Sequence, residues 1–317
     1  MGAEYTRGVP DLVVAGSASR DLAGGERRGW RLGGGVSYGA LTAALLGLKT
    51  GAVVGVDEPA SRAHELDLLR QAGVDLELVQ LQRAPVFENV QTAGGRVQTC
   101  VEPGEPLPVD RVPEAWHAAR AWLFAPVAGE LADDWADVPG VSAVVALGWQ
   151  GLLRRLAAGR RVERRPPMGS PLLERADLVG VSVEDLGREQ KLAELMRLLR
   201  PAATIVLTRG DAGGLATTLA ERGRSTTRAY RAVPSRHVVD PTGAGDVLLA
   251  AYLATRIDPR FDALRRHGTD LRFAASAASL VVESPGLTGV PDLATVIARM
   301  WGSAATVQAD PPPAGTR

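Results

Sequence analysis

Lysine is almost absent from this chain. Of its 36 basic side chains only Lys49 and Lys191 are lysine, and the remaining 34 are arginine. The 36 acidic side chains balance them, so the formal net charge is zero. A neutral chain has no excess of cationic groups to attract nucleic acid or an anionic membrane. We therefore expect neither of these partners, and any phosphate chemistry must proceed almost without lysine.

Cysteine and long apolar runs are also scarce. Cys100 is the single cysteine, which excludes an intramolecular disulfide, and the four histidines are not spaced as metal ligands. No apolar run reaches the roughly 18 residues that a membrane span requires. The N-terminus lacks a basic region followed by a long apolar one, as a secretory signal would have. These absences predict a reducing compartment, and we expect a cytoplasmic location.

Short runs rich in β-branched residues alternate with longer segments of helical periodicity. The predicted strands are Leu12–Ala15, Ala52–Val56, Leu76–Leu81, Ala121–Phe124, Ser142–Leu147, Leu178–Val181 and Thr204–Leu207. The predicted helices lie near residues 35–47, 60–72, 112–119, 129–136 and 184–199. Such alternation is typical of a mainly parallel sheet with helices on both faces, a three-layer α/β/α arrangement. From residue 241 onward the pattern is almost entirely helical.

Two segments, about residues 20–31 and 85–102, break this rhythm. Polar and apolar residues alternate along them, and Gly94-Gly95 has the composition of a tight turn. We predict a small accessory β-sheet that acts as a lid, whose exposed edges also favour a homodimer.

The C-terminal tail differs in composition from the rest of the chain. Residues 303–317 end in a run of prolines and small residues, which predicts disorder. We therefore expect one domain over residues 1–302.

The most informative stretch, residues 240–246, reads Asp-Pro-Thr-Gly-Ala-Gly-Asp and leads into an apolar helix from Val247. Small residues there let backbone N–H groups point outward at a helix N-terminus, where the helix dipole also favours negative charge. Asp246 enters a buried helix, which is costly unless the carboxylate is solvated or partnered. An anion cradle with an adjacent base is one interpretation. The other is an ordinary helix start, with Thr242 as N-cap and Asp246 as an acidic first-turn residue.

Several strings in this chain resemble the ribokinase-like (PfkB) carbohydrate kinase family. Residues 240–246 resemble its C-terminal signature D-T-x-G-A-G-D. Other parts keep the family's order: the strand Leu12–Gly16 followed by Asp21, the loop Gly33–Ala40 resembling G-G-x-x-x-N-x-A, the segment Leu178–Asp185 leading toward N-x-x-E, and Thr208–Gly213 resembling T-x-G-x-x-G. The resemblance spans residues from about 10 to 300, and the string at 240–246 is its most specific part.

This resemblance implies a ribokinase-like fold and an ATP-dependent transfer of the γ-phosphoryl group to a hydroxyl of a small polyhydroxylated substrate. Asp246 would be the general base, and the amides of Gly243, Ala244 and Gly245 would form the anion hole. ATP would contact Thr208, Arg209, Gly210, Gly213 and Thr242. The substrate would contact Asp21, Gly34, Gly35 and Tyr38. Asp185 or Glu184 would organise Mg²⁺-bound water, and a monovalent cation stays open as a further cofactor.

The chain departs from the family pattern at two positions. Tyr38 stands where many members have asparagine, which favours stacking on a sugar ring or a flatter substrate such as a nucleoside or cyclitol. Ser182 stands at the asparagine of N-x-x-E, and Ser-x-x-Asp is also an ordinary helix capping box. Gln150 and Arg154 follow a predicted strand end and are candidate substrate contacts, with a helix surface as the alternative.

Ordinary surface roles compete with other assignments too. Arg209 fits a solvated arginine equally well, and Asp21 fits a turn. The six arginines within residues 154–165 have no interleaved aromatic residue for base stacking, so we expect a solvated loop.

Two further functions remain open alongside the kinase. The two departures motivate a second hypothesis, a ligand-binding regulatory protein that kept the fold and lost turnover. Asp246 argues against it, because binding alone needs no base. Residues 33–39 weakly match a dinucleotide loop, which would suit an oxidoreductase, whereas no P-loop string is present.

Overall fold

The computed structural model describes residues 8–23, 25–92, 95–187, 191–219 and 225–305. The strands in these ranges are β1 (Leu12–Ser17), β2 (Arg20–Leu22), β3 (Trp30–Leu32), β4 (Thr50–Val56), β5 (Asp75–Gln80), β6 (Val86–Thr92), β7 (Gly95–Glu102), β8 (Ala121–Phe124), β9 (Val144–Gly148), β10 (Arg154–Arg155), β11 (Arg160–Arg161), β12 (Glu163–Arg164), β13 (Leu178–Ser182), β14 (Thr204–Thr208), β15 (Gly214–Leu219) and β16 (Ser225–Tyr230). The α-helices are α1 (Gly35–Leu45), α2 (Glu58–Ser61), α3 (Glu65–Gln71), α4 (Pro171–Arg175), α5 (Val183–Leu186), α6 (Leu192–Met196), α7 (Ala244–Ile257), α8 (Asp262–Arg266), α9 (Asp270–Val281) and α10 (Leu293–Ala305).

A nine-stranded sheet in the described ranges forms the centre of the molecule, in the order β16-β15-β14-β13-β9-β8-β1-β4-β5. Its strands from β14 to β5 pair in parallel, while β15 and β16 are antiparallel additions at one edge. Every residue of β1 and β4 is buried, as expected for strands that are covered on both faces.

The two faces of this sheet are covered differently. On one face α1, α7 and α9 supply long apolar surfaces, and residues 247–255 of α7 are all buried as predicted. The other face is packed by short helices, 3₁₀ turns and the fully buried rings of Trp116, Trp122, Trp135 and Trp149. The predicted three-layer α/β/α fold is therefore confirmed, with one layer built mostly from short segments.

Several predicted helices are shorter than expected. The segments near 112–119 and 129–136 form only 3₁₀ turns, Glu114–Ala118 and Asp133–Asp137. The segment near 60–72 divides into α2 and α3. Within 184–199, Gly187 adopts a positive φ of 78° that ends α5, and residues 188–190 lie outside the described residues.

The predicted accessory sheet is confirmed, with the order β11-β7-β6-β2-β3, and we keep the name lid for it. The β6–β7 pair is an antiparallel hairpin, whereas β2 and β6 pair in parallel. Gly94 of the predicted turn lies outside the described residues. Strand β11 comes from the arginine run, so the prediction of a solvated loop there is wrong in part. The backbone of β11 pairs with β7, and β10 pairs with β12. The side chains of Arg160 and Arg161 stay exposed.

The C-terminal boundary also differs from the prediction. Helix α10 continues to Ala305, three residues into the segment predicted as a disordered tail, and residues 306–317 lie outside the described residues. No helix in the described ranges is long and apolar enough to cross a membrane.

Candidate active site

Two carboxylates, those of Asp21 and Asp246, lie against the three consecutive glycines Gly33–Gly35 at the C-terminal ends of the central strands. A Cβ on Gly33 would lie 2.3 Å from Oδ2 of Asp21, and a Cβ on Gly35 would lie 2.7 Å from Oδ1 of Asp246. Gly34 between them has a φ of 92° and lies against the backbone of Ser17. Open α/β sheets bind ligands at this end of the strands. The structure therefore brings Asp21 and Asp246 together at one glycine run.

Asp21 lies on the lid strand β2 and is half-buried. The hydroxyl of Ser19 donates to Oδ1 of Asp21 at 3.0 Å. Backbone bonds between Ser19 and Gly33, of 2.8 and 3.3 Å, tie this part of the lid to the glycine run. The carboxylate is thus held at the boundary between the lid and the central sheet.

The loop of residues 240–246, which we call the anion loop, ends in the N-terminus of α7. Gly243 is the N-cap with a left-handed φ of 81°, and no side chain among the described residues caps this end. The alternative with Thr242 as N-cap is wrong, because Gly243 occupies that position. The backbone N–H of Thr242 donates to Oδ1 of Asp240 at 3.0 Å. A Cβ built on Gly245 meets open space. The first-turn N–H groups of α7 are suited to bind an anion.

Tyr38 lies beneath this loop rather than beside an open pocket. A Cβ on Gly243 would come within 2.4 Å of the Tyr38 ring, and only 2% of Tyr38 is exposed. Burial, with Asp240, Asp21 and Asp246 nearby, raises the pKa of its hydroxyl far above the usual range. The predicted stacking on a substrate ring does not fit this burial. Tyr38 instead supports the backbone of the anion loop.

Asp246 is half-buried at the start of α7, and its electrostatic surroundings are unusual. Desolvation by burial raises the pKa of its carboxyl to about 6, the positive charge of Arg154 lowers it, and the charge of Asp185 raises it. A carboxylate with a pKa near neutrality is suited to accept a proton from a hydroxyl.

Arg154 joins the lid to this carboxylate. Its guanidinium lies 5.6 Å from the ring centre of Phe87 on β6 and donates to the Val127 carbonyl at 3.3 Å. Gln150 donates from Nε2 to Oδ1 of Asp185 at 3.2 Å. Both predicted substrate contacts therefore lie at the edge of the sheet where Asp246 lies.

The segment predicted to organise magnesium shows one suitable carboxylate. Ser182 caps α5 by accepting the N–H of Glu184 at 3.0 Å, as the capping alternative predicts. Glu184 is exposed, and its carbonyl accepts from Arg164 at 2.6 Å. Asp185 is half-buried and acts electrostatically on Asp246. The described residues contain no cluster of three or more metal-ligating side chains. Mg²⁺ often uses one carboxylate, phosphate oxygens and water, so Asp185 fits such a shell.

The predicted nucleotide segment lies at the end of β14, the strand beside β13 in the central sheet. Thr208 ends the strand, Arg209 is exposed, and Gly210 and Gly213 have φ values of 57° and 81°. The N–H of Arg209 donates to Gly213 at 2.8 Å and closes the turn. A cavity of about 560 Å³ adjoins it, lined mainly by leucine side chains together with Arg164, Glu184 and Arg209.

Sequence reasoning missed Glu130, a buried carboxylate behind the site. It accepts backbone N–H groups from Ser17 at 2.8 Å, Val127 at 3.1 Å and Ala128 at 2.8 Å. Burial raises the pKa of this carboxyl. It therefore fixes the end of β1 to the loop that follows β8, and Val127 of that loop receives Arg154. The sequence signal was a lone acidic residue in an apolar stretch after a strand.

Comparisons with known proteins agree with this architecture. Residues 173–293 match the pfkB family carbohydrate kinase. A stretch of 66 residues is 39% identical to a ribokinase of Arabidopsis thaliana, and it covers 20% of this chain and 16% of that protein. The aligned stretch thus spans about a sixth of this curated relative.

Solved structures with the same fold cover nearly the whole chain. A pyrophosphate-dependent kinase of the ribokinase family, complexed with a pyrophosphate analog and myo-inositol, matches with a TM-score of 0.69 at 20% identity, over 87% of this chain and 96% of that one. Ribokinase of Arabidopsis thaliana, complexed with ribose and ATP, matches with a TM-score of 0.65 at 20% identity, over 92% of this chain and 99% of that one. Fructokinase of Xylella fastidiosa with bound ATP matches with a TM-score of 0.67 at 18% identity, over 93% of this chain and 99% of that one. Residues 173–293 therefore resemble the pfkB family of carbohydrate kinases, and the described chain has the same fold as these solved kinases.

Proposed function

We propose that this protein transfers a phosphoryl group from ATP to a hydroxyl of a small polyhydroxylated molecule such as a sugar, a nucleoside or an inositol-like cyclitol. One observation carries the proposal: the glycine run 33–35 contacts both Asp21 and Asp246, and Asp246 begins the helix whose N-terminus forms the anion loop. An acceptor, a base and an anion site are thereby within reach of one another. Charge neutrality of the chain agrees with an uncharged acceptor.

Each part of the site has a distinct task in this mechanism. Asp246 accepts the proton of the attacking hydroxyl, and Asp21 accepts a hydrogen bond from a second hydroxyl and orients the acceptor. The N–H groups of Gly243, Ala244, Gly245 and Asp246 stabilise negative charge on the transferred group. Mg²⁺ held near Asp185 would neutralise phosphate charge. Backbone amides thus replace the phosphate-binding lysine that this chain lacks.

The donor side is proposed at the turn of residues 208–213 with its neighbouring cavity. This cavity has five leucine side chains at its wall, which offer a surface for a base, and Arg164 and Arg209, which offer positive charge for phosphates. ATP is our proposed donor for this reason. Similar folds include both a kinase with bound ATP and one that depends on pyrophosphate, so both donors belong in the assay. Dimerisation through the lid, a monovalent cation and a cytoplasmic location stay predictions.

An acceptor panel tests the proposal. Ribose, fructose, adenosine and myo-inositol are each incubated with ATP or with pyrophosphate in the presence of Mg²⁺, and products are detected by mass spectrometry. We expect a monophosphorylated product from at least one acceptor. If an acceptor binds in calorimetry and no donor yields product, the ligand-binding alternative is favoured and the kinase assignment is wrong.

The pH dependence of kcat/KM gives a second test. Asp246 must be ionised to act as base, and its pKa is raised to about 6. We therefore expect kcat/KM to be constant near pH 8 and to fall with decreasing pH through about 6, since this parameter reports groups of the free enzyme. The Arg154→Gln variant should shift this limb to higher pH, because the Arg154 charge lowers the pKa of Asp246. A limb that does not move would contradict this electrostatic role.

A further inference from the structure

The first residue of the anion loop, Asp240, connects three parts of the protein. Its Oδ1 accepts the N–H of Thr242 at 3.0 Å, which sets the turn at the start of the loop. Its Oδ2 accepts the N–H of Gly286 at 3.3 Å, from the turn after α9. The same oxygen lies 3.4 Å from Nη1 of Arg31 in the lid strand β3. Only 19% of the Asp240 side chain is exposed, so these partners largely replace solvent around it.

Arg31 is oriented by a second carboxylate within the lid. Its Nε donates to Glu26 at 2.5 Å, and 30% of its side chain is exposed. Because Glu26 and Arg31 belong to the same lid segment, their pairing fixes the direction of the guanidinium. Arg31 therefore extends from the lid toward Asp240 in a defined geometry.

Two other lid arginines form ion pairs with carboxylates outside the anion loop. Arg20 pairs with Asp57 at 2.8 Å, after β4, and Arg28 pairs with Glu65, at the start of α3. Both carboxylates are buried, as Asp240 is in large part. Among the lid ion pairs in the described ranges, the Arg31–Asp240 pair is the one that reaches the anion loop. The lid is thus held by arginine–carboxylate ion pairs that reach different parts of the protein.

We infer that Arg31 is a positioning residue, which couples docking of the lid over the acceptor to the shape of the anion loop through Asp240. When the lid is docked, the guanidinium holds the Asp240 carboxylate, and that carboxylate holds the turn that presents the N–H groups of residues 243–246. When the lid moves away, the loop loses this support. Phosphate is then stabilised fully only above a covered acceptor, which disfavours transfer to water. This inference rests on the proposed function.

Hydrogen exchange in the protein without ligands tests the coupling independently of turnover. In Arg31→Gln, we expect the hydrogen-bonded amides of Thr242 and Ala244 to exchange about tenfold faster than in the wild type, because the loop opens locally more often. Arg28→Gln is the matched control, since it removes a lid ion pair that ends at Glu65. It should leave exchange in the anion loop unchanged. Equal acceleration in both variants would overturn the inference, because Arg31 would then be a general docking contact.

Kinetics with the best acceptor supply the second readout. Arg31→Gln should lower kcat by about tenfold to a hundredfold, as expected for a misplaced catalytic group. Arg28→Gln should mainly raise the acceptor KM, with kcat within about twofold of the wild type. Arg31→Lys keeps the charge and should restore part of kcat. A fall in kcat that is no larger for Arg31→Gln than for Arg28→Gln would contradict the coupling.

A double-variant cycle asks whether Asp240 carries the effect. Asp240→Asn keeps an oxygen for the Thr242 N–H and loses the charge that pairs with Arg31. In the double variant, the loss of kcat should be close to that of either single variant, because coupled residues are not additive. Fully additive losses would overturn the inference. If the wild type shows no turnover but the exchange results hold, the proposed function fails and the coupling stands.

Discussion

The Asp246→Asn variant is expected to lower kcat by about 10²- to 10⁴-fold, the usual range for loss of a general base. Asparagine has nearly the same shape and cannot accept the proton of the attacking hydroxyl. The measurement is steady-state phosphoryl transfer at saturating donor and acceptor, at a pH above the raised pKa of about 6. Asp21→Asn is a useful contrast, because a residue that orients the acceptor should affect KM as well as kcat.

Thermal unfolding separates this loss from loss of the fold. The folded-state pKa of Asp246 is raised above the value of 3.8 for an unperturbed carboxyl, so ionisation at neutral pH opposes folding. The sign therefore predicts that Asp246→Asn melts no lower than the wild type at pH 7.5. Equal activity of the two proteins would contradict the assignment of Asp246 as the base.

The Gly35→Ala variant is expected to lower kcat/KM by about a hundredfold, because a displacement of about 1 Å at a catalytic group has that scale of effect. The new methyl group would lie 2.7 Å from Oδ1 of Asp246 and 3.1 Å from the Ala125 methyl. The carboxylate is the group that can move, so the fold survives while the base leaves its position. Steady-state kinetics with the best acceptor measure the effect.

Two further variants make this test specific. Gly302→Ala in α10 is the control for a helical glycine, since a Cβ there meets open space. Gly35→Ala combined with Ala125→Gly removes the methyl contact and keeps the contact with Asp246. We expect the double variant to regain stability and not activity. Recovery of full activity would show that packing against Ala125, rather than displacement of Asp246, caused the loss.

The parts of this protein that sequence predicted well are those whose signal is local. The β-branched runs predicted the parallel sheet, and the apolar segment after Val247 predicted a buried helix. The small residues of 240–246 predicted the loop at its N-terminus, since their backbone requirement is written in consecutive positions. The alternation in two separate segments predicted the lid.

The remaining features depend on contacts between distant parts of the chain. Arg31 and Asp240 are more than two hundred residues apart, and no local pattern marks either as a partner of the other. Glu130 resembles any acidic residue until the fold surrounds it with backbone N–H groups. Tyr38 was expected at a substrate because of its place in the glycine loop, whereas packing turns its ring beneath Gly243. The arginine run suggested only solvent exposure, because its backbone pairing is invisible in the side chains.

The lid is built from separate stretches of the chain, and this affects how the protein folds. Its strands come from residues 20–32, 86–102 and 160–161, and strands of the central sheet lie between these stretches in the chain. The parallel pair β2–β6 cannot close as a hairpin, since its partners enter side by side from distant positions. Pairings of this kind form slowly, because a long loop must close before they contribute. We therefore expect the central sheet to assemble before the lid, so that Asp21, which lies on lid strand β2, is among the last residues to reach its final position.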